Sequence, residues 1–227
     1  MSKAASARGL FRATGKKSKP VAVRDLYGEI VKVDALEREP NEFYPTPVDP
    51  IRSIIHAELE ALRGFPAIWG PACGTGVIGQ ELRAHGLQTF NSDLIDRGCG
   101  AEIRDFYDFS EAPAPAILEN PPFAECGWGN GKARRWLYHA LDTLQVEYMG
   151  LLMNWGFPGA GGLGPFWAKH PPARVYLMRW KIDFTGQGAP PMLNGWFIWD
   201  KTHVGETVLR MLDRADARQG EMFGSAA

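Results

Sequence analysis

A doubly wound α/β fold with a mainly parallel sheet is the fold class that the sequence predicts, on three observations. Short apolar runs alternate with amphipathic stretches between residues 48 and 153. A glycine-rich turn, Gly70-Pro71-Ala72-Cys73-Gly74-Thr75-Gly76, follows the first of these runs and opens a helix. A later run, Ala116-Ile117-Leu118, ends in a polar and rigid segment, Glu119-Asn120-Pro121-Pro122-Phe123. Such β/α alternation builds parallel sheets, with ligand-binding turns at the carboxyl ends of the strands.

The elements follow in order. Residues 1–40 show no clear periodicity and read as a basic N-terminal arm, mostly disordered or loosely attached. Glu42-Phe43-Tyr44-Pro45-Thr46-Pro47 is extended, because each proline biases its predecessor away from helix. A helix opens at Val48 or Asp49, with Pro50 in its first turn. Ile51, Ile54, Ile55, Leu59 and Leu62 form its apolar face, and Gly64 ends it. Strands are expected over 66–70, 87–92 and 115–119, and a helix over 77–85 closed by Gly86. Another helix spans about 132–146, with Trp136, Leu137, Ala140, Leu141 and Leu144 on one side, before an apolar strand over 148–153. Residues 155–164 are glycine-rich, and 159–162 read as loop. Strands over 173–178 and 195–199 flank a loop, 180–194, too long for a tight hairpin. A last helix over about 206–217 closes the chain.

Bulk properties narrow the class. At 227 residues, 45% hydrophobic and 22% charged, the chain suits one domain, residues 41–227, with appendages. No apolar run approaches the ~20 residues that span a bilayer, so no membrane role is expected. The N-terminus lacks the hydrophobic segment of a secretory signal; its Arg, Lys, Ser and Ala content weakly resembles a transit peptide. Cys73, Cys99 and Cys126 are odd in number and widely spaced, which supports neither a disulfide framework nor a zinc site and points to a reducing cytoplasm. The five histidines form no ligand spacing, and no metal is expected. Charge is uneven: residues 1–24 hold seven cations and no acid, in a chain of formal net charge −1. The arm can contact phosphates, or it can be a solvated tail.

The glycine turn carries the first chemical signal. Glycines there permit positive φ and let backbone N–H groups approach a ligand. Asp93 lies at the end of the second strand, where an acid can accept hydrogen bonds from ribose hydroxyls, or can cap a following turn. Gly74, Gly76 and Gly79 also match the spacing of a dinucleotide fingerprint, which keeps a dehydrogenase among the readings. That reading leaves Asn-Pro-Pro-Phe and Tyr-Pro-Thr-Pro without a role.

The second signal is the tetrad Asn120-Pro121-Pro122-Phe123. An aromatic amine is a poor nucleophile because its lone pair is delocalised into the ring. Hydrogen bonds accepted from it by the Asn120 side chain and the Pro121 carbonyl push the nitrogen toward tetrahedral geometry. The prolines stiffen the loop, and Phe123 offers a flat face to a base. Together the two signals suggest group transfer from a nucleotide-like cofactor to a planar amine.

These elements resemble the S-adenosylmethionine-dependent adenine-N6 DNA methyltransferases, of the compact kind encoded by phages and prophages. The resemblance covers about residues 41–200 and is most specific in Asn-Pro-Pro-Phe and Phe-Tyr-Pro-Thr-Pro. It implies a Rossmann-like class I methyltransferase domain, with a doubly wound, mainly parallel seven-stranded sheet and one antiparallel strand at 195–199. It implies that Tyr44, Pro45, Thr46 and Pro47 line the methionine end of the cofactor. Pro71, Cys73, Gly74 and Gly76 would form the cofactor loop, Asp93 would hold the ribose, and Asp105, followed by Phe106, the adenine amine. Asn120, Pro121, Pro122 and Phe123 would hold a flipped adenine of DNA. One position departs from the pattern: Gly70 stands where such enzymes carry Glu or Asp, the acid that helps receive the methionine ammonium. The departure leaves room for compensation by another acid, or for a weakened enzyme.

Only residues 124–135 and 155–195 are available for target recognition, which predicts a short or relaxed DNA site. Trp128, Lys132, Arg134 and Arg135 belong to a glycine-rich basic loop that can approach DNA, or that simply begins a solvated helix. A methyltransferase acting on RNA or a protein glutamine amide, and a non-catalytic nucleic-acid-binding relative, remain as alternatives. Trp155, Trp167, Trp180, Trp196 and Trp199 read as core, with Trp155 and Phe157 near the expected pocket.

Overall fold

The computed structural model describes residues 21–24, 30–33, 45–126, 135–159, 162–184 and 192–214. Within the basic arm, β1 (Val21–Arg24) pairs antiparallel with β2 (Ile30–Val33). The body begins with α1 (Val48–Arg63), β3 (Ile68–Gly70), α2 (Val77–Ala84), β4 (Thr89–Asp93) and β5 (Glu102–Ile103). It continues with β6 (Ala116–Glu119), α3 (Phe123–Cys126), α4 (Arg135–Tyr138) and β7 (Tyr148–Asn154). It ends with α5 (Gly164–Lys169), β8 (Arg174–Met178), β9 (Asn194–Asp200) and β10 (Val208–Leu212).

Eight strands form the main sheet in the order β10-β8-β9-β7-β6-β3-β4-β5. All neighbours run parallel except β9, which is antiparallel to both β7 and β8. This is the Rossmann-like class I methyltransferase arrangement, with the expected antiparallel strand. The chain winds outward from β3 through β4 to β5, then returns to the other side of β3 as β6. The winding direction therefore reverses between β3 and β6, and a crevice opens there at the carboxyl ends of the strands.

Alternation along the strands explains how both faces are covered. Trp69, Ile117, Met149, Leu151, Met153, Phe197 and Trp199 belong to one buried cluster, closed by Trp136 and Leu137 of α4 and Phe166 of α5. Ile68, Ala116, Leu118, Tyr148, Leu152, Trp196 and Ile198 belong to the other, closed by Ile51, Ile54, Ile55 and Leu62 of α1 and Ile78 and Leu82 of α2. Period-two patterning of this kind buries a sheet on both sides.

At the amino-terminal edge of the sheet, Glu58 of α1 is 4% exposed. Arg174 holds it with two hydrogen bonds, Nε to Oε1 at 2.8 Å and Nη2 to Oε2 at 2.7 Å. The Arg174 Nη2 also reaches Asp200 Oδ2 at 2.9 Å. The Tyr148 hydroxyl donates to Glu58 Oε2 at 3.2 Å and the Tyr176 hydroxyl donates to Oε1. Burial, with the Glu58 charge next, keeps the Tyr148 phenol well above its ordinary range. This network ties α1 to β7, β8 and β9.

Three expectations need correction. The helix expected over 206–217 is replaced, among the described residues, by a strand: Val208–Leu212 extends the sheet as an eighth strand, in register with Arg174–Met178. The open edge of β8 offers unpaired backbone groups, and pairing with it outweighs the weak helical pattern of that segment. The 132–146 helix is shorter and irregular. Among the described residues, α4 passes at His139–Thr143 into a π-helical turn, with Leu144 N–H on His139 O at 2.9 Å. Gln145, at φ 53°, ends it. The loop regions expected to be irregular also contain β5, α3 and α5. Among the described residues, no helix is long and apolar enough to cross a membrane, and no group of three His, Cys, Asp or Glu could hold a metal ion.

Candidate functional site

A cleft of about 450 Å3 opens at the crevice between β3 and β6. Its floor is the turn after β3. Gly74 and Gly76 adopt φ of 55° and 77°, conformations that glycine reaches without Cβ strain. Gly76 N–H closes the turn on Cys73 O at 2.7 Å, and Cys73 N–H reaches Ser92 O of β4 at 3.2 Å. Gly79, on α2, meets a different constraint: a Cβ there would lie 2.8 Å from Asn91 Nδ2, so a larger residue would displace the Asn91 side chain between α2 and β4.

Asp93 ends β4 and is 8% exposed. Its Oδ2 accepts from Gly74 N–H at 2.8 Å and its Oδ1 from Ile95 N–H at 2.9 Å. The carboxylate thus joins the glycine turn to the loop after β4. The turn-capping use is seen in these bonds, and Asp93 also lines the cleft. Cys99 lies against the same turn, with its Sγ 3.7 Å from Cys73 Sγ. Burial, with the Glu119 charge next, pushes the Cys73 thiol far above its ordinary range, so it stays a neutral thiol.

The far wall of the cleft follows β5. Asp105 Oδ1 accepts from Tyr107 N–H at 2.9 Å and caps the 3-10 turn Phe106–Asp108. Phe106 stacks on Trp136 with 4.5 Å between centroids. The Tyr107 hydroxyl donates to the Glu125 carboxylate, and burial followed by that bond raises its phenol. The Arg135 guanidinium lies 3.8 Å above the Tyr107 ring.

The near wall follows β6. Asn120 Nδ2 donates to Thr46 Oγ1 at 3.0 Å, which joins the tetrad to the Pro45–Thr46–Pro47 segment 74 residues earlier in the chain. That bond uses one N–H of the amide and fixes the amide's direction relative to Thr46. Asn120 N–H donates to Glu119 Oε1 at 2.9 Å. Glu119 itself is 2% exposed, and its Oε2 accepts no hydrogen bond from any described residue. Burial pushes its carboxyl up to about 8, with nearby Asp93 adding to the rise. The Asn120 hydrogen bond opposes it, and so does the Ala72 N–H, which lies near without reaching hydrogen-bond geometry.

The cleft brings together half of the residues singled out in the sequence. Pro45, Thr46, Pro71, Cys73 and Gly74 line it, and so do Asp93, Asp105, Asn120 and Pro122. Pro47, Gly76, Pro121 and Phe123 do not line it. Pro47 caps α1 and Gly76 caps α2. Pro121 is buried, and Phe123 starts α3 half-buried against the hydrophobic core. Tyr44, Trp128, Lys132 and Arg134 lie outside the described residues, and Arg135 is exposed at the start of α4. Trp155 and Phe157 pack on the core away from the cleft. Glu119, Tyr107 and Glu125 were missed. Glu119 had a signal, its place immediately before the tetrad. For Tyr107 and Glu125, 18 residues apart, the sequence offers none.

No protein-family model matches the sequence, and a search of the curated proteins finds no relative. The fold has counterparts among solved structures. One is a candidate RNA methyltransferase from Pyrococcus horikoshii, with TM-score 0.54 and 14% identity over 72% of this chain and 90% of that one. Another is a candidate class I S-adenosylmethionine-dependent methyltransferase from Listeria monocytogenes, with TM-score 0.54 and 13% identity over 78% of this chain and 68% of that one. At this identity the likeness is one of fold.

Proposed function

We propose that the chain is an S-adenosylmethionine-dependent methyltransferase acting on the exocyclic N6 amine of a flipped adenine in DNA, at a short or relaxed site. The observation that carries this reading is the convergence of Asn120 and the glycine turn on one cleft at the point where the sheet reverses its winding. The residues present fit the cofactor. A buried carboxyl oxygen without a partner suits a ligand that bears positive charge. Gly74, at φ 55°, lines the cleft beside it, so the backbone there carries no Cβ toward a ligand.

In this reading Thr46, Pro71, Cys73 and Gly74 hold the methionine portion, Asp93 the ribose and Asp105 the adenine ring of the cofactor. When bound, S-adenosylmethionine supplies a methyl group activated by a sulfonium. Asn120 orients the acceptor amine through its side-chain oxygen, and Thr46 fixes that orientation through the 3.0 Å bond to Nδ2. The Asn120 side-chain oxygen takes up part of the developing positive charge; Pro121, buried and outside the cleft lining, stiffens the segment behind it. Rate enhancement of this kind comes from orientation and from preorganised dipoles. The basic arm and Arg135 are the groups assigned to DNA phosphates.

Labelled S-adenosylmethionine, incubated with separate DNA, RNA and protein pools, tests the assignment. Label in DNA at adenine N6 is the expected result. Label confined to RNA or to glutamine would move the substrate class, and label in none of the pools would overturn the reading.

A further inference from the structure

Glu119 and Gly70 are neighbours across β3 and β6, and their geometry is reciprocal. A Cβ on Gly70 would stand 2.9 Å from Glu119 Oε2 and 3.5 Å from Cys73 Cβ. The space that a side chain at the end of β3 would fill is therefore taken by the carboxyl of Glu119, reaching over from the end of β6. That carboxyl is anchored at one oxygen only, by the Asn120 N–H at 2.9 Å. Its other oxygen is buried, unpartnered among the described residues, and belongs to a side chain that lines the cleft. A half-satisfied buried carboxyl is costly, and natural structures keep one where a ligand completes it.

The groups around it narrow the ligand. The titratable side chains facing Glu119 are Asp93 from β4 and Cys73 from the turn after β3. Neither supplies a cation. The missing partner is thus a hydrogen-bond donor, and a positively charged one gains most in this acid-lined corner.

We propose that Glu119 binds the α-ammonium group of the cofactor's amino-acid portion, and that the acid absent from position 70 has been relocated to position 119 on the adjacent strand. The proposal rests on the reading of the cleft as a cofactor site. It explains why position 70 is glycine: a side chain there would evict the carboxyl that replaces it. It also gives the cofactor site and the tetrad a shared residue, since the Glu119 oxygen that does not face the ligand holds the Asn120 backbone.

Binding then has a protonic signature. Glu119, pushed up to about 8 by burial, is mostly protonated at pH 6.5 when the cleft is empty. An ammonium partner favours the charged carboxylate, so binding at that pH releases about one proton.

Calorimetric titration with S-adenosylhomocysteine, in buffers of different ionisation enthalpy at pH 6.5, measures affinity and proton release together without requiring turnover. Wild type is expected to bind with release of about one proton. Glu119→Gln, with its folding checked by circular dichroism, is expected to bind on the order of a hundredfold more weakly and to release none. Gly70→Glu combined with Glu119→Ala is expected to recover a large part of the affinity, whereas Gly70→Glu alone does not raise it. Equal affinity and equal proton release in wild type and Glu119→Gln would overturn the relocation while leaving the methyltransferase reading intact. Loss of turnover in Glu119→Gln at unchanged affinity would overturn it too. Failure of wild type to bind overturns both.

Discussion

Among the described residues, two glutamates are buried at opposite edges of one sheet, and their surroundings differ. Glu58, at the amino-terminal edge, is 4% exposed and has both oxygens saturated by Arg174, Tyr148 and Tyr176. Glu119, at the carboxyl edge, is 2% exposed and keeps one oxygen without a hydrogen-bond partner among the described residues. Burial is the same, but the bonding is not. Where a carboxylate only has to join helix to sheet, the chain completes its hydrogen bonds internally. Where the carboxyl group faces the crevice, only one of its oxygens is bonded among the described residues, to the Asn120 N–H. A buried acid alone therefore says little about function; the unsatisfied oxygen is what separates the two.

The largest expected effect breaks the saturated partner. Arg174→Ala leaves Glu58 and Asp200 beside each other without their cation and should cost about 3–5 kcal/mol in urea denaturation. Cofactor affinity of the remaining folded protein should be unchanged, because the network lies at the other edge of the sheet.

The next effect concerns the unsaturated glutamate and has the opposite sign. In the native state Glu119 holds its proton up to about pH 8, whereas in the unfolded chain it gives it up near 4.5. The unfolded state thus binds fewer protons between those limits, and this group lowers stability as pH rises through that window. Glu119→Gln removes the effect. Its stability should match wild type near pH 4.5 and exceed it by a few kcal/mol at pH 9, in denaturation curves measured at both values. Equal pH dependence in the two proteins would mean that Glu119 is not held neutral.

A smaller effect sharpens the geometry beside Glu119. Thr46→Val removes the acceptor of Asn120 Nδ2 and frees the amide to rotate, which should slow methyl transfer roughly tenfold with little change in cofactor affinity. A control lies on the edge strand, at a side chain that takes no part in either glutamate's hydrogen bonds. Leu209, 55% exposed on β10, should tolerate Thr within about 0.5 kcal/mol, because a β-branched residue suits a strand edge.

Much of the fold was legible because local signals and burial agree. The apolar face of α1, with Ile51, Ile54, Ile55 and Leu62, is buried, and Gly64 ends the helix as its position suggested. Both strands flanking the crevice were readable as apolar runs followed by glycine or proline punctuation. Residues 206–217 misled because the deciding interaction is the open edge of β8, more than 30 positions away, rather than anything in the segment. The π-helical turn at His139–Thr143 has no signature of composition either. At the site, the sequence exposed Asn120 and the glycine turn, and it raised Gly70 as a missing acid. It could not show that the carboxyl of Glu119 crosses to the neighbouring strand and fills that space. Such a substitution belongs to register and side-chain direction, and only packing displays it.

The most direct test of the account is the modified-base content of DNA from cells producing the chain, measured by mass spectrometry of nucleosides beside an Asn120→Ala control. The account predicts N6-methyladenine in DNA with the wild-type chain and none above background with Asn120→Ala. Equal N6-methyladenine with both proteins, or none with either while methyl label reaches another acceptor, would contradict it.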